Sequence, residues 1–333
     1  MRIETIMRAL ADPTRLRIMR LLHTMELAVG ELAHVLGQSQ PRVSRHVAIL
    51  TESGLAERRR EGSWVFLRAT SGGPNADAGA PLVAAVSRLL ATAENEDDGF
   101  ARDCETDRQQ LAAIRQSRED GANAWFADHA EEWDGLRQLH SPDGQVEDAL
   151  ARALEERPLG ALLDIGTGTG RMAELFAGEA DHIVALDKSL EMLRVARAKL
   201  QNLPAERVEL VQGDFAALPF AAQSFDTVLL HQVLHFAQEP ARALAEAARV
   251  VRPSGRIAIV DFAAHDREEL RERFAHARLG FTDEDMVAAL QTAGFEPGKP
   301  VALSGGPLVV KIWIGERVSA GPVDTKKRKA ASQ

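Results

Sequence analysis

The chain has 333 residues, 45% of them hydrophobic and 27% charged, a composition that excludes a fibre or a wholly disordered chain and a length that predicts two domains. Its net charge of −9 conceals an asymmetry, because residues 1–70 carry +4, residues 71–323 carry −16 and residues 324–333 carry +3. A basic first segment precedes an acidic body, so the overall charge does not exclude a nucleic-acid partner.

The first 36 residues have the apolar spacing of three helices. Asp12 and Pro13 are typical of a helix start, and Gly37 is typical of a helix end. We expect the third helix to cover residues 29–36. The apolar stripes of the first two helices are Ile3, Ile6, Met7 and Leu10, followed by Leu16, Ile18, Met19, Leu21 and Leu22.

A fourth helix is predicted to begin after Ser39, as its N-cap, and to end before Gly54. Val43, Val47 and Leu50 would form its buried face. The polar side chains of its N-terminal half would then point outward, where they suit contacts with DNA phosphates and base edges. These predicted DNA-binding residues are Gln40, Arg42, Ser44, Arg45 and His46.

Two strand-like runs, residues 55–60 and 64–67, follow with a turn between them and predict a β-hairpin. A helix-turn-helix followed by a basic hairpin is the arrangement of a winged helix-turn-helix, whose wing touches the DNA backbone. Arg58, Arg59 and Arg60 are the predicted wing contacts. The alternative is a helical protein-interaction module. The concentration of arginine on the fourth helix and the wing favours DNA binding.

The stretches LADPTRLRIMRLL and ELAHVLGQSQPRVSRHVAILTESGLAERRREGSWVFLRA resemble the arsenical-resistance-repressor (ArsR) family of dimeric bacterial transcription factors. The resemblance covers residues 1–70 and implies a homodimer on a palindromic operator in double-stranded DNA. Many members sense metal through two cysteines, and Ala28 and Gly30 stand at those positions here. The helix predicted over residues 81–94 also lacks the histidines of another known metal site of the family. We therefore expect no metal site.

Residues 71–124 are predicted to contain a linker and dimerisation helices. Residues 70–81 are rich in Gly, Pro and Ala, which predicts a flexible connection. Helices are expected over residues 81–94 and 100–118, and the ArsR resemblance implies that they form the dimer. Cys104 is the only cysteine, so no internal disulfide can form and a reducing cytoplasm is expected. We interpret it as an unreactive surface or interface thiol rather than a redox sensor. The apolar stripe of the first of these helices is Leu82, Val83, Val86, Leu89 and Leu90.

From residue 159 onward, strands alternate with helices, which predicts a doubly wound parallel sheet with its ligand at the carboxyl ends of the strands. Gly166, Gly168 and Gly170 follow the first strand and allow a sharp turn and a close approach of a ligand. Asp187 ends the second strand, where its carboxylate can accept hydrogen bonds from both hydroxyls of a ribose. The predicted strands are residues 161–165, 182–186, 208–211, 225–230 and 256–262, with a closing hairpin of 301–304 and 308–316.

We predict no membrane contact and no cleaved leader. The longest uncharged apolar stretch, residues 227–238, is much shorter than the roughly 18 residues that span a bilayer. The first residues lack the apolar segment of a signal peptide. We therefore expect a cytoplasmic protein.

The runs LLDIGTGTGRM, ALDKSLEML, GDFAALPF, FDTVLLHQVLHF and VVRPSGRIAIVDF resemble class I S-adenosylmethionine-dependent methyltransferases over residues 125–316. The resulting fold class is α/β, with an N-terminal winged helix-turn-helix and a C-terminal doubly wound, Rossmann-like methyltransferase sheet. A dinucleotide-binding domain is the alternative. The resemblance also implies that residues 125–137 form an entry helix over the cofactor. The implied contacts with S-adenosylmethionine or S-adenosylhomocysteine are Asp164, Gly166, Gly168 and Gly170 around its amino acid, Asp187 at its ribose, Asp214 with either Phe215 or Leu186 at its adenine, and His231 and Gln232 at the methyl-donor end. Thr167 and Lys188 are further implied contacts.

Two functions remain open. The first is a transcriptional regulator, most simply a repressor, that senses S-adenosylmethionine or S-adenosylhomocysteine and controls genes of the methionine and methyl cycle. The second is an active methyltransferase of a small molecule with an autoregulatory DNA-binding domain. His231 and His235 are the candidate catalytic bases, or they only line the pocket. Residues 317–333 are predicted to be a basic, disordered tail.

Overall fold

The computed structural model describes residues 2–24, 27–61, 64–70, 80–138, 143–204 and 207–318. The chain forms two compact units. Unit 1 comprises Met1–Ala122 and Asp266–Glu269, and unit 2 comprises Asn123–His265 and Leu270–Gln333. Among the helices in these described ranges, none has both the length and the apolar character needed to cross a bilayer. Most of the predicted linker and residues 319–333 of the predicted tail lie outside the described residues.

Residues 2–129 form four short helices, a β-hairpin and two longer helices, and the second longer helix, α6, continues past residue 122, where unit 1 ends. The helices are α1 (Ile3–Leu10), α2 (Pro13–Thr24), α3 (Val29–Val35), α4 (Gln40–Glu52), α5 (Ala80–Glu96) and α6 (Asp98–His129). The strands are β1 (Leu27–Ala28), β2 (Ala56–Glu61) and β3 (Trp64–Ala69), which form an antiparallel sheet in the order β1-β3-β2. The pairing of β1 was not predicted, because two residues give no periodicity.

The core of unit 1 holds α4 against α2 and α3. The predicted buried face of α4 is confirmed, since Val43, Val47 and Leu50 are each at most 1% exposed. Gly37 ends the turn after α3 with φ +61°, a left-handed conformation that favours glycine. These features place the opposite face of α4 at the surface.

Three residues of the apolar stripes in unit 1 are exposed. Ile3 is 54%, Met7 is 51% and Leu89 is 52% exposed. Their neighbours Ile6 and Leu10 are buried. Helical spacing identifies an apolar stripe but not how much of its width is covered.

Helix α6 is longer than predicted and is held by buried charge. The predicted helix over 100–118 and the start of the predicted entry helix are one element, because the single Gly121 does not end it. Arg17 of α2 donates to Asp107 of α6 through Nε and Nη2, at 2.8 and 2.5 Å, and Asp107 is only 1% exposed. Cys104 is also buried, not at the surface, and burial raises the pKa of its thiol to about 11.

Unit 2 is a single sheet with helices on both faces. Its helices are α7 (Trp133–Gln138), α8 (Asp143–Leu154), α9 (Arg171–Phe176), α10 (Leu190–Leu200), α11 (Pro240–Val250), α12 (Glu269–Arg273) and α13 (Asp283–Ala293), with a 3₁₀ turn at Leu234–Phe236. Its strands are β4 (Ala161–Ile165), β5 (His182–Asp187), β6 (Val208–Gln212), β7 (Phe225–His231), β8 (Val251–Phe262), β9 (Phe295–Pro297), β10 (Val301–Leu303) and β11 (Val310–Arg317).

The strand order is β10-β11-β8-β7-β4-β5-β6, with β9 also pairing with β11. Strands β4 to β8 run parallel, and β11 is antiparallel to its neighbours. Alternate residues of β4 supply the two faces, since Leu162 belongs to one apolar core and Leu163 and Ile165 belong to the other. The carboxyl ends of the parallel strands therefore meet at one edge of the sheet.

The strand predictions need three corrections. The strand predicted over residues 256–262 begins earlier, because residues 251–255 also belong to β8, where a register shift between Phe225 and Thr227 leaves room for the extra residues. Ser254 has φ +62° within this irregular segment. Strand β9 was missed because three residues that end in Pro297 carry no strand pattern. Arg317, assigned to the predicted tail, belongs to β11.

Candidate functional site

The loop between β4 and α9 is a left-handed glycine turn. Gly166, Gly168 and Gly170 have φ values of +70°, +55° and +84°. A Cβ at Gly166 would lie 2.5 Å from Cγ2 of Val233, and one at Gly170 would lie 2.9 Å from Cδ1 of Leu200. Both distances are too short for a real side chain. The backbone and the packing therefore require glycine here.

Asp164 and Thr167 form a buried pair at the start of this loop. Asp164 is 1% exposed, and its Oδ2 accepts a hydrogen bond of 2.6 Å from Oγ1 of Thr167. The backbone N–H groups of Gly166 and Thr167 both donate to the carbonyl oxygen of Leu186, at 2.8 and 2.9 Å. The glycine loop is thereby fixed to the end of β5.

Asp187 lies at the end of β5 and is joined to the same loop. Its Oδ2 accepts from the backbone N–H of Gly168 at 2.8 Å, and its Oδ1 accepts from that of Ser189 at 2.8 Å. Burial raises the pKa of Asp187, and these backbone donors oppose the shift. The carboxylate is half-buried and is placed to accept further hydrogen bonds from neighbouring hydroxyl groups of a ligand.

Asp214 follows β6 and lies close to the residues at the end of β5. Nζ of Lys188 lies 3.0 Å from Oδ2 of Asp214, and both side chains are more than a third exposed. Oδ1 of Asp214 accepts from the backbone N–H of Ala216 at 2.8 Å. Phe215 packs partly buried against the apolar core. The loops after β5 and β6 thus bring together Asp187, Lys188 and Asp214, which the sequence placed in one site.

His231 and Gln232 follow β7 at the same edge. His231 is 8% exposed and Gln232 is 4% exposed. Gln232 has φ +54°, which is strained for a residue with a side chain. Its Nε2 is buried and has no hydrogen-bond partner among the described residues. A buried donor without a partner is costly in a finished fold, so it is suited to an acceptor atom of a ligand.

Sequence reasoning missed the contacts that fix the cover of the glycine loop. The predicted entry helix is split into the end of α6 and the short α7. A Cβ at Gly168 would lie 3.3 Å from Nε1 of Trp133. Oγ1 of Thr169 donates to Oδ1 of Asp134 at 2.6 Å, and Nζ of Lys199 pairs with the same carboxylate. No motif spacing signals this cluster, because its members come from three separate elements.

His235 has a partner that the sequence did not identify. Nδ1 of His235 lies 2.8 Å from Oδ1 of Asp261 on β8, and the two side chains are 2% and 0% exposed. Asp261 lies near the end of the buried, apolar strand β8. An acidic residue at that position was the only feature of the sequence that could have indicated a buried partner. His235 therefore belongs to a buried acid–base pair.

The surface of α4 carries most of its predicted DNA-binding side chains. Gln40, Arg42, Ser44 and Arg45 are exposed. Within the described residues, Arg42 and Arg45 make no ion pair, so their guanidinium groups are available to phosphates. His46 differs from the prediction, because its side chain is 13% exposed and its Nδ1 lies 3.6 Å from Oδ1 of Asp12.

The predicted hairpin after α4 is present as β2 and β3. Arg58 is exposed on β2. The side chains of Arg59 and Arg60 lie outside the part of the chain that the structure describes. Glu57 on β2 forms an ion pair with Arg68 on β3, in which Nε of Arg68 lies 3.1 Å from Oε2 of Glu57. The hairpin thus has an exposed arginine, Arg58, on β2.

Two families match separate parts of the chain. Residues 12–58 match the family described as "Bacterial regulatory protein, arsR family", and residues 163–259 match the family described as "Methyltransferase domain". The first match covers the helix-turn-helix and the start of the hairpin. The second covers the sheet from β4 to β8, including the glycine loop, Asp187, Asp214 and His235.

Curated relatives share the second unit. The demethylmenaquinone methyltransferase of Renibacterium salmoninarum is 35% identical over 217 residues, which cover 63% of this chain and 81% of that protein. The arsenite methyltransferase of Halobacterium salinarum is 29% identical over 183 residues. That alignment covers 50% of this chain and 46% of the Halobacterium protein, so this chain spans less than half the length of that relative.

A solved structure has the same fold as the second unit. It is a complex of the Haloferax volcanii Trm112 methyltransferase activator with a methyltransferase, matched at 19% identity with a TM-score of 0.51. The match covers 60% of this chain and 98% of that one. At this identity the similarity shows the fold alone.

Proposed function

The chain belongs to the methyltransferase family and carries a domain of the bacterial ArsR regulatory family, and from this pairing we propose that it is a DNA-binding transcriptional regulator that senses an adenosyl compound. Unit 1 binds a palindromic operator as a homodimer in the cytoplasm. Unit 2 binds S-adenosylmethionine or S-adenosylhomocysteine. The regulator acts as a repressor of methionine and methyl-cycle genes.

One observation carries the ligand assignment. The carboxylate of Asp187 is hydrogen-bonded to the backbone of Gly168, inside the glycine loop, and is followed by Asp214 at the next strand end. This arrangement suits a molecule with a ribose and an adenine side by side. Asp187 would accept from the ribose hydroxyls and Asp214 from the adenine amine, with Lys188 and Phe215 beside them. Asp164, Thr167 and the three glycines would surround the amino-acid part.

The buried groups of the site also fit such a molecule. The Nε2 of Gln232 needs an acceptor, which the ligand's carboxylate or ribose oxygens supply. His231 would lie near the sulfur. The glycine loop has no side chains at residues 166, 168 and 170 that would hold a ligand away from its backbone. We therefore assign the adenosyl ligand to the edge of the sheet formed by the ends of β4, β5, β6 and β7.

The DNA assignment depends on the exposed face of α4. Arg42 and Arg45 are exposed and have no carboxylate partner among the described residues, whereas Arg17 and Arg20 of the same unit are paired with Asp107 and Glu94. Arginines that are not used within the fold are suited to phosphates and to guanine edges. Gln40 and Ser44 on the same face would supply further polar contacts, and Arg58, Arg59 and Arg60 would reach the DNA backbone.

Ligand and DNA are coupled by linkage. A compound that binds one conformation of the dimer more tightly shifts the population toward that conformation, and the affinity for DNA changes with it. A coupling of 1–3 kcal/mol, or about 5- to 150-fold in affinity, is typical of allosteric proteins. No metal is required for this response.

A mobility-shift assay tests the proposal. The operator is first selected by the full chain from a random-sequence DNA library, and the protein is then titrated with and without each adenosyl compound at millimolar concentration. We expect a specific complex whose affinity changes at least fivefold with one of the two compounds. Absence of a specific complex, or a complex that is indifferent to both compounds, would refute the proposal.

The second candidate function is methyl transfer to a small molecule, and the buried pair of His235 and Asp261 favours it. Both relatives described above are methyltransferases. Arsenite is a poor acceptor for this chain, since its one cysteine is buried with a raised thiol pKa. The acidic body disfavours nucleic acid as a substrate.

Labelled methyl groups separate the two functions. The protein is incubated with S-adenosylmethionine carrying a labelled methyl group and a small-molecule cell extract, beside an Asp164→Ala variant. Label in a new compound, absent with the variant, would establish an enzyme. A regulator without activity transfers no label and binds S-adenosylhomocysteine at least as tightly as S-adenosylmethionine.

A further inference from the structure

Helix α6 belongs to both units of the protein. Asp98–Ala122 lies in unit 1 and Asn123–His129 lies in unit 2, and the backbone is helical throughout. The chain also passes between the units at both ends of the segment Asp266–Glu269. A structural change within α6 is therefore transmitted along the chain from one unit to the other.

The first half of α6 is packed into the core of unit 1. Leu111 is 3% exposed, and Ile114 packs partly buried against the same core. Asp107, one turn earlier, forms its ion pair with Arg17 of α2. Apolar burial and this ion pair hold α6 to unit 1 as far as residue 114.

The end of α6 is packed among aromatic rings of unit 2. The ring centroid of Phe126 lies 4.8 Å from that of Phe236 and 5.4 Å from that of Trp133. Trp125 also contacts Trp133, at 6.1 Å. Trp133 in turn lies against the glycine loop, because a Cβ at Gly168 would be 3.3 Å from its Nε1. Ring contacts therefore connect the end of α6 to the proposed adenosyl site.

The part of α6 between these two anchors, residues 115–124, has no apolar side chain larger than that of alanine. Gln116, Gly121 and Ala124 are exposed. A helical stretch that is polar all round either bridges two domains through solvent or is not a stable helix, and an isolated helix shorter than roughly 12 residues is marginal in water. The helical state of these residues therefore depends on the anchors at both ends. The residues of low helix propensity among them are Ser117, Asp120, Gly121 and Asn123.

Gly121 is the weakest helix former of this stretch, and it stands next to the boundary between the units. At an exposed position inside a helix, glycine favours the helical state about fivefold less than alanine does. A Cβ at Gly121 would meet no atom of the described residues within 4 Å. Packing therefore does not require glycine here, in contrast to Gly166 and Gly170, and the effect of the glycine is to lower the stability of the helix.

We propose that residues 115–124 are a helix–coil hinge, called the hinge segment, through which the adenosyl ligand regulates the DNA-binding unit. A ligand at the glycine loop stabilises the ring contacts of Trp133 and Phe126, and these contacts stabilise the helical state of the hinge segment. A helix at this place restricts the motion of unit 1 within the homodimer, whereas a coil does not. The two states therefore differ in how well two copies of α4 fit the half-sites of the operator.

This inference rests on the proposed function, because it states how the adenosyl ligand acts on operator binding. Its first test needs no operator. Hydrogen exchange of the full chain is followed by mass spectrometry with and without saturating S-adenosylhomocysteine. We expect amide exchange in peptides that cover the hinge segment to slow roughly tenfold with the ligand, because local opening becomes less frequent. Peptides that cover α3 of unit 1 are the internal control and should exchange at an unchanged rate.

The outcomes of this test separate the two proposals. If calorimetry shows that S-adenosylhomocysteine binds and the hinge segment exchanges at the same rate with and without it, the hinge is refuted and the proposed function stands. If the compound does not bind at all, both are refuted. Equal slowing of exchange in α3 and in the hinge segment would indicate general stabilisation of the protein and would also refute the hinge.

Substitutions at Gly121 test the connection to the operator. Gly121→Ala favours the helical state, so the operator affinity of the ligand-free variant should move about threefold in the direction in which the ligand moves that of the wild type. Gly121→Pro breaks the helix, so the ligand should change operator affinity less than about twofold, although each unit still binds its own ligand. Fluorescence anisotropy with labelled operator measures both effects.

The matched control is Gly144→Ala, because Gly144 is an exposed glycine of α8, inside unit 2, where a Cβ also meets no atom of the described residues within 4 Å. This variant should leave operator affinity and its response to the ligand unchanged. If Gly121→Pro does not fold, as judged by loss of both S-adenosylhomocysteine and operator binding, Gly121→Ala and the exchange rates decide. A Gly121→Ala variant that behaves as Gly144→Ala does would overturn the inference.

Discussion

The two units place the charged groups assigned to binding in opposite ways. In unit 1, Arg42 and Arg45 stand on the exposed face of α4, while the buried charge of Asp107 is used to hold α2 to α6. In unit 2, the assigned carboxylates lie at strand ends and are held by the backbone or by buried side chains, as Asp187 and Asp164 are. A protein binds DNA at its surface, whereas it binds a small molecule in a pocket. In unit 1 the buried carboxylate stabilises the fold, whereas in unit 2 we propose that the carboxylates at the strand ends bind the ligand.

The largest expected effect concerns the buried charge of unit 1. Asp107→Ala leaves the guanidinium of Arg17 half-buried without its carboxylate, so the free energy of unfolding should fall by about 3 kcal/mol. Urea denaturation followed by circular dichroism measures it. The matched control is Glu105→Ala, whose side chain is 55% exposed on the same helix and should leave stability unchanged. Equal stability of the two variants would show that the buried pair does not serve the fold.

The next effect concerns the assigned carboxylate of unit 2. Asp187→Ala removes an acceptor of two ribose hydroxyls, and the affinity for S-adenosylhomocysteine should fall about 30-fold, or about 2 kcal/mol. Isothermal titration calorimetry measures it, with Asp181→Ala, an exposed aspartate of the same unit, as the control. Affinity for the operator without ligand should stay unchanged. A variant that loses both affinities would indicate that Asp187 serves folding instead.

A smaller effect is expected on the exposed face of α4. Arg45→Ala should weaken operator binding roughly tenfold and reduce the slope of log affinity against log salt by about 1, because one phosphate contact is lost. Fluorescence anisotropy at several salt concentrations measures both. Arg88→Ala on α5, also exposed, is the control. If Arg88→Ala weakens operator binding as much as Arg45→Ala does, the effect of Arg45 comes from the net charge of the protein and not from a specific phosphate contact.

The smallest effect is a pH dependence in unit 2. Burial raises the pKa of Asp187 above its usual range, so its protonation begins at a higher pH than for an exposed aspartate. In the proposed site the ionised carboxylate accepts hydrogen bonds from the ribose hydroxyls, and affinity for S-adenosylhomocysteine should therefore decline, by less than tenfold per pH unit, as the pH falls through this raised pKa. Asp187→Asn should remove the dependence. The sign for stability is the reverse, since a raised pKa favours the folded state at low pH and that contribution is lost as the pH rises. If the wild-type affinity for S-adenosylhomocysteine stays constant as the pH falls to the usual pKa range of aspartate, the assignment of Asp187 is contradicted.

The sequence predicted those elements whose structure depends on residues close together in the chain. The apolar spacing of α4 and the glycine run after β4 were sufficient, because both depend on neighbouring residues. Val43, Val47 and Leu50 were predicted to be buried and are buried. The glycine loop forms directly after the predicted strand, and Gly166 and Gly170 could not carry a side chain there.

Contacts between distant elements could not be predicted. The partner of His235 is 26 residues away on β8, and Asp134 meets Thr169 and Lys199 only in the folded unit. His46 was predicted to point outward, but the position of Asp12 relative to α4 decides its orientation. The exposure of Ile3 and Met7 likewise depends on which elements cover α1. Such features follow from packing across the chain, which one sequence does not display.

The central claim is that the adenosyl ligand and the operator influence each other through one protein. Calorimetric titration of S-adenosylhomocysteine into the full chain, with and without saturating operator DNA, tests it most directly. Linkage requires the ratio of the two ligand affinities to equal the ratio of the operator affinities measured with and without ligand. We expect the same factor, at least fivefold, in both directions. Identical ligand affinity with and without operator would contradict the account.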